Sequence, residues 1–253
     1  MTAGTNGRPL LSWLIIGGSI VLSTWIGSSS WERVKMKPVD RVIEVTGSAK
    51  KRIVSDQIEW SAVIETTNMD RTQAYRDLRG FVETTRKYLA EQKVKDDEIR
   101  ASSASIEEMF NTEYVGVGEE RVERQVFNGY KASQTISVRS TDVARVERIS
   151  REVTQLLERG VPISSQTPAY FYTKLGELKI TMLAEASKDA RTRAENIVKQ
   201  AGGADLGKLR TADMGIINVN PANATDTSWD GNNDTSSLEK DIITIVHASF
   251  ELN

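Results

Sequence analysis

The side chains that most often perform chemistry are scarce in this sequence. His247 is the only histidine, and there is no cysteine. Zinc sites are built mainly from several histidine and cysteine ligands, and a single histidine in a chain without cysteine cannot supply them. His247 shares one face of a predicted strand with Ile243 and Ile245, and we interpret it as a structural residue.

Acidic residues and glycines offer patterns that fall short of known sites. The adjacent acids lie in polar turns or at strand ends, where solvated charge is usual: Asp96-Asp97-Glu98, Glu107-Glu108 and Glu119-Glu120. Asp226, Asp230 and Asp234 recur every four residues but lack the glycine and closing glutamate of a calcium-binding loop. Gly116-Val-Gly118 lacks the third glycine and following helix of a phosphate loop. We therefore expect no catalytic, cofactor-binding or metal-binding residue, and no cofactor.

The overall charge gives little support for a polyanionic partner. The formal net charge is −2, and the 27% of residues that are charged include both signs. Nucleic-acid-binding surfaces are basic, and no basic patch is visible along the chain. We expect no nucleic acid partner.

The N-terminal residues contain an uncharged apolar run from Leu10 to Ile26. Its length approaches the roughly 20 residues that span a bilayer, and tryptophans near both ends suit the membrane interfaces. We expect residues 1–31 to form a membrane anchor. The anchor residues are Leu10, Trp13, Ile16, Leu22 and Trp25.

A cleaved signal peptide is the alternative for the same residues. It would leave a soluble domain, but the segment has only Arg8 as its basic start and no A-x-A cleavage site. The basic residues after the apolar run favour the opposite orientation of the anchor in the membrane. Four of them favour the cytoplasmic side: Arg33, Lys35, Lys37 and Arg41. Large domains can nevertheless be translocated past such charges.

One predicted helix, Glu177 to Ala201, organises the remaining elements. Its apolar stripe consists of residues spaced by three and four: Leu183, Ala186, Ala190, Ala194, Ile197 and Ala201. Four of the six are alanine, so the stripe is shallow and favours packing flat on a β-sheet. Gly202-Gly203 supplies the turn that ends the helix.

Alternating and helical patterns predict the other elements. Residues 41–49 and 57–66 are expected to form a half-buried antiparallel pair, followed by a helix capped by Asn68 or Asp70. Then come a long hairpin (102–114 and 124–139), a helix from Thr141-Asp142 to Gly160, strands at 163–172 and 209–219, a polar mobile loop at 220–237 and a strand at 241–252. This order predicts an α+β fold over residues 32–253, with antiparallel strands and helices packed on one face. It would also fit two related β-α-β-β halves.

Four aromatic residues lie along the predicted hairpin. They are Phe110, Tyr114, Phe127 and Tyr130. Because a strand rises about 3.3 Å per residue and a helix 1.5 Å, the hairpin should extend beyond its covering helix. The aromatic side chains are then explained either by burial within the chain or by an oligomer interface, where such residues are enriched.

Three pieces of the sequence together resemble the SIMPL-domain family. They are VIEVTGSA at 42–49 with Asp56 and 60–64 after it, GYKASQTISV at 129–138 before an amphipathic helix, and the alanine-striped helix followed by Gly-Gly and Leu206-Gly207. The family often has Pro-Asp before its second strand, where this chain has Ser55-Asp56. Its members are bacterial cell-envelope proteins, typified by YggE-like and periplasmic immunogenic proteins.

The residues predict a non-enzymatic protein with one membrane span, and the resemblance implies a location in the cell envelope. We therefore expect an anchor in the inner membrane, with the main domain in the periplasm. The resemblance also implies self-assembly into a homo-oligomeric ring or channel-like complex and a loose link to envelope stress tolerance. One alternative is a monomeric tethered periplasmic binding or chaperone-like module. Another is an enzyme that uses only carboxylates, such as a glycosidase, with Glu107 or Glu119 in its site.

Overall fold

The computed structural model describes residues 8–35, 41–116, 121–202, 205–226 and 228–253. Its helices are α1 (Arg8–Lys35), α2 (Arg71–Glu91), α3 (Val143–Glu152) and α4 (Leu175–Ala201). Its strands are β1 (Val42–Val54), β2 (Gln57–Asn68), β3 (Ile99–Ala101), β4 (Ser105–Val115), β5 (Val122–Ser140), β6 (Ile163–Ser165), β7 (Ala169–Phe171), β8 (Leu206–Pro221) and β9 (Glu239–Leu252). Short 3₁₀ helices occupy Asp96–Glu98 and Val153–Arg159. The fold is mixed α+β with antiparallel sheets, as predicted.

The chain divides into two compact units. The smaller contains the described parts of residues 1–44, 194–211 and 249–253, and the larger contains 45–193 and 212–248. Within the smaller unit, the backbones of Asp205 and Asn253 exchange two hydrogen bonds, and the Leu252 N–H donates to the Arg41 carbonyl. All of the sites discussed below lie in the larger unit, apart from α1.

A six-stranded sheet forms the first layer of the larger unit. The strand order is β3-β5-β2-β6, with β4 also paired to β5 and β7 to β2. All of its paired strands run antiparallel. The long pairing of β2 with β5, from Ile58–Ser140 to Asn68–Tyr130, forms its centre.

Helices α2 and α3 cover one face of this sheet. Alternate residues of β2 are buried in a single core cluster with both helices: Ile58, Trp60, Ala62 and Ile64. The helix starts are fixed by side-chain caps, because Asp70 accepts a hydrogen bond from the Gln73 N–H and Asp142 accepts one from the Arg145 N–H. For this sheet, the expected placement of helices on one face is confirmed.

Helix α4 packs on a three-stranded sheet with the order β1-β9-β8. The alanine stripe is confirmed at Ala186, Ala190 and Ala194, which are fully buried. The prediction is wrong for Ile197 and Ala201, which are exposed. The buried row instead keeps a spacing of four along the helix, through Leu178, Met182, Ala186, Ala190, Ala194 and Val198.

The predicted pairing of the first two strands is wrong. Strand β1 pairs with β9, whereas β2 pairs with β5, β6 and β7. The chain changes sheets at Ser55-Asp56, because the Ser55 N–H donates to Leu238 and the Asp56 N–H donates to Phe171. The Asp56 carboxylate also accepts hydrogen bonds from the backbone and hydroxyl of Thr173, both at 2.7 Å. These contacts turn the chain where a hairpin would have continued.

A strand, a helix and a strand pair occur in both sheets, but in the smaller sheet the whole of the larger sheet lies between β1 and α4 along the chain. In the larger sheet, β2 is followed by α2 and by the β4–β5 hairpin, whose second strand lies beside β2. In the smaller sheet, β1 stands in the position of β2, and α4 precedes the β8–β9 pair, whose second strand lies beside β1.

One further segment differs in detail from the predictions. The strand expected at 163–172 is two short strands, β6 and β7, both paired to β2. The polar segment between β8 and β9 is held by hydrogen bonds to its neighbours. The Lys240 ammonium donates to the carbonyl of Tyr170 at 2.7 Å and to that of Asp234, and burial lowers the pKa of Lys240.

Asp241 is a buried carboxylate on β9, with only 1% of its side chain exposed. It accepts hydrogen bonds from the Arg52 guanidinium at 2.9 and 3.1 Å and from the Asn223 N–H at 2.8 Å, and it lies 3.0 Å from the Lys50 ammonium. The hydrogen bonds from Arg52, against the opposing effect of burial, hold the pKa of Asp241 well below its usual range. The carboxylate of Asp241 on β9 therefore links β9 to β1 and to the start of the polar segment.

Replacing Asp241 by asparagine is expected to lower the free energy of unfolding at pH 7 by about 1.5–3 kcal/mol, as for hydrogen bonds to charged groups. Because the pKa is depressed in the folded state, the stabilisation is present above the ordinary value of about 3.9 and is lost as pH falls through the folded value. Urea unfolding from pH 7 to pH 3 should show the difference between wild type and Asp241→Asn shrinking below about pH 4. Asp226→Asn, at an exposed position, is the control. A pH-independent difference would contradict this account.

Candidate interaction surface

The expected anchor residues lie in or beside the described part of α1. Leu10, Trp13 and Ile16 belong to the helix, but their side chains lie outside the described residues. Leu22 and Trp25 are exposed. Within the described ranges, no helix is both long enough and apolar enough to cross a membrane.

The residues considered for chemistry do not converge. Glu107 and Glu108 are exposed on β4, and Glu119, Glu120 and Gly118 lie outside the described residues. His247 is exposed on β9, with Nδ1 3.0 Å from the Thr46 hydroxyl. Among the described residues, no three acidic or histidine side chains are grouped so that they could hold a metal ion.

Three of the four expected interface residues, Phe110, Tyr114 and Phe127, lie on a projecting two-stranded arm, and Tyr130 lies at its base. Pairing of β5 with β2 ends at Tyr130, opposite Asn68, whereas pairing with β4 continues to Val122. We call the described parts of residues 109–129 the arm. At about 3.4 Å per residue, the stretch of β5 from 122 to 129 carries it about 27 Å beyond the sheet.

A β-bulge at the base of the arm sets the orientation of its side chains. Glu108 pairs with Tyr130 and Phe110 with Phe127, so Asn128 and Gly129 lie opposite Met109 alone. Gly129 has φ +103°, and a Cβ there would lie 2.8 Å from the Asn68 carbonyl oxygen. The extra residue brings Phe127 to the same face as Tyr130, which strict alternation would place on opposite faces.

One face of the arm carries a ladder of paired side chains. The rings of Phe110 and Phe127 meet edge to face with centroids 5.9 Å apart, and Phe127 meets Tyr130 at 5.2 Å. Further out, the Gln125 amide donates to the Thr112 hydroxyl at 2.9 Å, and the Tyr114 hydroxyl donates to Glu123 at 3.0 Å. Arg121 lies over the Tyr114 ring at 5.4 Å. These contacts order the aromatic side chains in their present positions.

The ladder continues the core side of the sheet but has no helix over it. Tyr130 packs against the core cluster at the base of the arm. Helix α2 begins at Arg71, just after β2 ends, and runs back over the sheet. Beyond that point Phe110, Tyr114 and Phe127 are 51%, 57% and 38% exposed. Ordered aromatic side chains with this exposure mark a surface suited to bind another protein.

The outer edge of the arm is also available for pairing. Within the described residues, β4 pairs only with β5, so the other edge of β4 presents backbone groups that no strand takes up. Such edges pair readily with a further strand. The arm therefore exposes both aromatic side chains and an unpaired strand edge.

A second exposed apolar surface was not predicted from the sequence. On the face of the small sheet away from α4, Met214, Ile216 and Ile245 line a cavity of about 430 Å³ together with Trp229, which is 88% exposed. Trp229 lies in the polar segment after β8, where no periodicity marks it. The signal available was the single large aromatic residue in a stretch of small polar ones.

Comparison with known proteins supports the family assignment. A search among curated proteins finds no match. The model of the SIMPL family, described as a protein of unknown function (DUF541), matches residues 43–241. The match includes the larger sheet with the arm, α4 and β8, and it ends near the start of β9, so it covers most of the chain. The chain belongs to the SIMPL family.

Proposed function

We propose that this SIMPL-family chain is a non-enzymatic cell-envelope protein, anchored in the inner membrane with its main domain in the periplasm, that self-assembles into a closed homo-oligomer. A role in envelope stress tolerance belongs to the same proposal and rests on the family resemblance alone. The observation that carries the self-assembly is the projecting arm. Its aromatic ladder is exposed, and the outer edge of β4 pairs with no strand in the described part of the chain.

Exposure of the aromatic ladder to water is unfavourable and favours self-assembly. Burying apolar surface contributes about 25 cal/mol per Å², and aromatic side chains bury 150–250 Å² each. Burial of Phe110, Tyr114 and Phe127 would therefore be favourable, and their own chain leaves them exposed. A second copy of the chain could cover these side chains, and it is always present at the same concentration. Identical subunits that meet head to tail close into a ring when the rotation permits.

The apolar residues of α1 support the membrane anchor. The run from Leu10 to Ile26 carries no charge, and the described apolar side chains Ile20, Val21, Leu22, Trp25 and Ile26 are all exposed. A bilayer or a neighbouring α1 would cover them. Anchoring would also raise the local concentration of the domain and so favour its assembly.

Two measurements on protein extracted from membranes in mild detergent test the proposal. Intact mass should match the full chain, and light scattering should give a particle several times the mass of one chain after the detergent is subtracted. A mature N-terminus near residues 28–31 would remove the anchor and leave a soluble periplasmic domain. A single-chain mass across micromolar concentrations would remove the self-assembly.

The second candidate function is a monomeric tethered binding or chaperone-like module. The observation in its favour is the cavity beside Trp229, which has the size and apolar lining of a small-molecule site. A monomeric protein whose tryptophan fluorescence changes on titration with an apolar probe, and does so less in Trp229→Ala, would support this alternative.

A further inference from the structure

The cavity beside Trp229 combines an apolar floor with one exposed aromatic ring. Its volume is about 430 Å³, and Met214, Ile216 and Ile245 supply the apolar floor. Met214 and Trp229 are 66% and 88% exposed, so the described part of the chain leaves both in contact with water. A volume of this size is typical of sites that hold small organic molecules. A ligand in the cavity would contact the floor and the indole ring together.

The turn that carries Trp229 is held by Asn218, a buried residue of β8 that is only 2% exposed. The side-chain oxygen of Asn218 accepts hydrogen bonds from the Ser228 N–H at 3.1 Å and from the Asn232 N–H at 3.0 Å. Between these two residues, the Gly231 N–H donates to the Ser228 carbonyl at 3.2 Å. The backbone on both sides of the indole is therefore fixed before a ligand binds, which lowers the entropic cost of binding.

The charge around the cavity is negative. The exposed Asp213 lines it, and the described residues that line it include neither lysine nor arginine. Two basic residues of the neighbouring strand β1, Lys50 and Arg52, both pair with Asp241. Residues 212–237 contain four acidic residues and no basic one: Asp213, Asp226, Asp230 and Asp234. The cavity therefore offers a carboxylate and an aromatic ring, the two groups that attract a cation.

We infer that the cavity beside Trp229 binds a small organic cation with an apolar body, of the quaternary ammonium class. The ammonium group lies against the indole of Trp229, the aromatic ring that attracts cations most strongly. The carboxylate of Asp213 balances the charge, and the apolar substituents cover Met214 and Ile216. The inference rests on the second candidate function, because it names the ligand class of the same cavity, and it does not depend on self-assembly.

Two probes of the same shape and different charge test the inference. In para-hydroxyphenyltrimethylammonium a charged nitrogen takes the place of the central carbon of para-tert-butylphenol. Isothermal titration calorimetry measures both on the full chain in nonionic detergent, with the heat of titration into detergent alone subtracted. The cation should bind about tenfold more tightly than the neutral probe, because only the cation gains from the indole and the carboxylate. The anion para-hydroxybenzenesulfonate should bind most weakly of the three.

Substitutions at the cavity show whether the preference for the cation arises there. Trp229→Leu keeps an apolar side chain but removes the ring, so it should weaken binding of the cation by about tenfold and affect the neutral probe less. Asp213→Asn should weaken binding of the cation by about threefold and leave the neutral probe unchanged. Asp97→Asn, at an exposed position in the 3₁₀ helix Asp96–Glu98, is the matched control. Circular dichroism should show all three variants folded, because the three side chains are exposed.

The outcomes separate this inference from the functions proposed above. A preference for the cation that falls in Trp229→Leu and Asp213→Asn but persists in Asp97→Asn supports it. Equal binding of the cation and the neutral probe overturns it and leaves an apolar binding cavity standing. A preference that is unchanged in both cavity variants places the cation elsewhere and also overturns it. If none of the probes binds, the second candidate function is lost as well, whereas self-assembly is decided separately by light scattering.

Discussion

Replacing Gly47 by alanine is expected to destabilise the larger unit by about 3 kcal/mol or more. A Cβ at this position would lie 2.2 Å from the Ala186 carbonyl oxygen, 2.4 Å from the Ala190 nitrogen and 2.7 Å from the Ala190 Cβ. Two of these atoms belong to the backbone of α4, so no side-chain rotation can relieve the clash. Overpacking costs about 1–3 kcal/mol when side chains can adjust, and here the helix itself must move.

Gly80→Ala is the matched control for this substitution. Gly80 is an exposed residue within α2, and a Cβ there would meet no atom within 4 Å. Alanine should stabilise the helix by about 0.5–1 kcal/mol relative to glycine. Urea unfolding monitored by circular dichroism measures both variants. Equal effects at the two positions would show that α4 does not lie on β1 at this distance.

The contrast at Gly47 shows what the sequence could predict about the small sheet. The alanines of α4 predicted a shallow helix packed on a sheet, and the structure places Ala186 and Ala190 directly against a glycine. The partner strand could not be predicted, because alternation in β1 is the same whether β1 pairs with β2 or with β9. The choice depends on Asp56 and Thr173, which are 117 residues apart in the chain.

The arm was predictable in outline but not in its faces. Strand and helix lengths predicted a hairpin that outreaches its helix, and the exposure of Phe110 and Tyr114 agrees with that. Alternation alone would separate Phe127 from Tyr130, yet their rings meet at 5.2 Å. The bulge is the reason, and the isolated glycine at 129 within a strand was its only signal in the sequence.

The cavity beside Trp229 lay beyond the reach of pattern analysis. Its walls come from β1, β8, β9 and the intervening polar segment, which only the tertiary structure brings together. Asn218 helps to hold that segment, because its side-chain oxygen accepts hydrogen bonds from the Ser228 and Asn232 N–H groups. Composition identified these residues as loop formers and could not show that they support an exposed tryptophan.

The double substitution Phe110→Ser and Phe127→Ser is expected to dissociate the assembly while the domain stays folded. The two rings form one edge-to-face pair near the base of the arm and are 51% and 38% exposed. Losing the edge-to-face contact within one chain costs about 0.5–1.5 kcal/mol beyond the area that the two rings already bury, and this contact is a small part of the stability of a domain. In a closed ring every subunit contributes one such interface, so the substitution removes this apolar contact from every interface of the assembly. Light scattering across micromolar concentrations should therefore show single chains.

The control lies on the same arm but on its other face. Asn111 pairs directly with Val126, one position from the aromatic pair on each strand. Asn111→Ser combined with Val126→Ser changes the neighbouring paired positions and leaves the aromatic ladder intact. This control should assemble as the wild type does, and both double variants should give the far-ultraviolet circular dichroism of a folded protein. Dissociation of the control alone would place the interface on the opposite face of the arm, and full assembly of the aromatic variant would remove the arm from the interface.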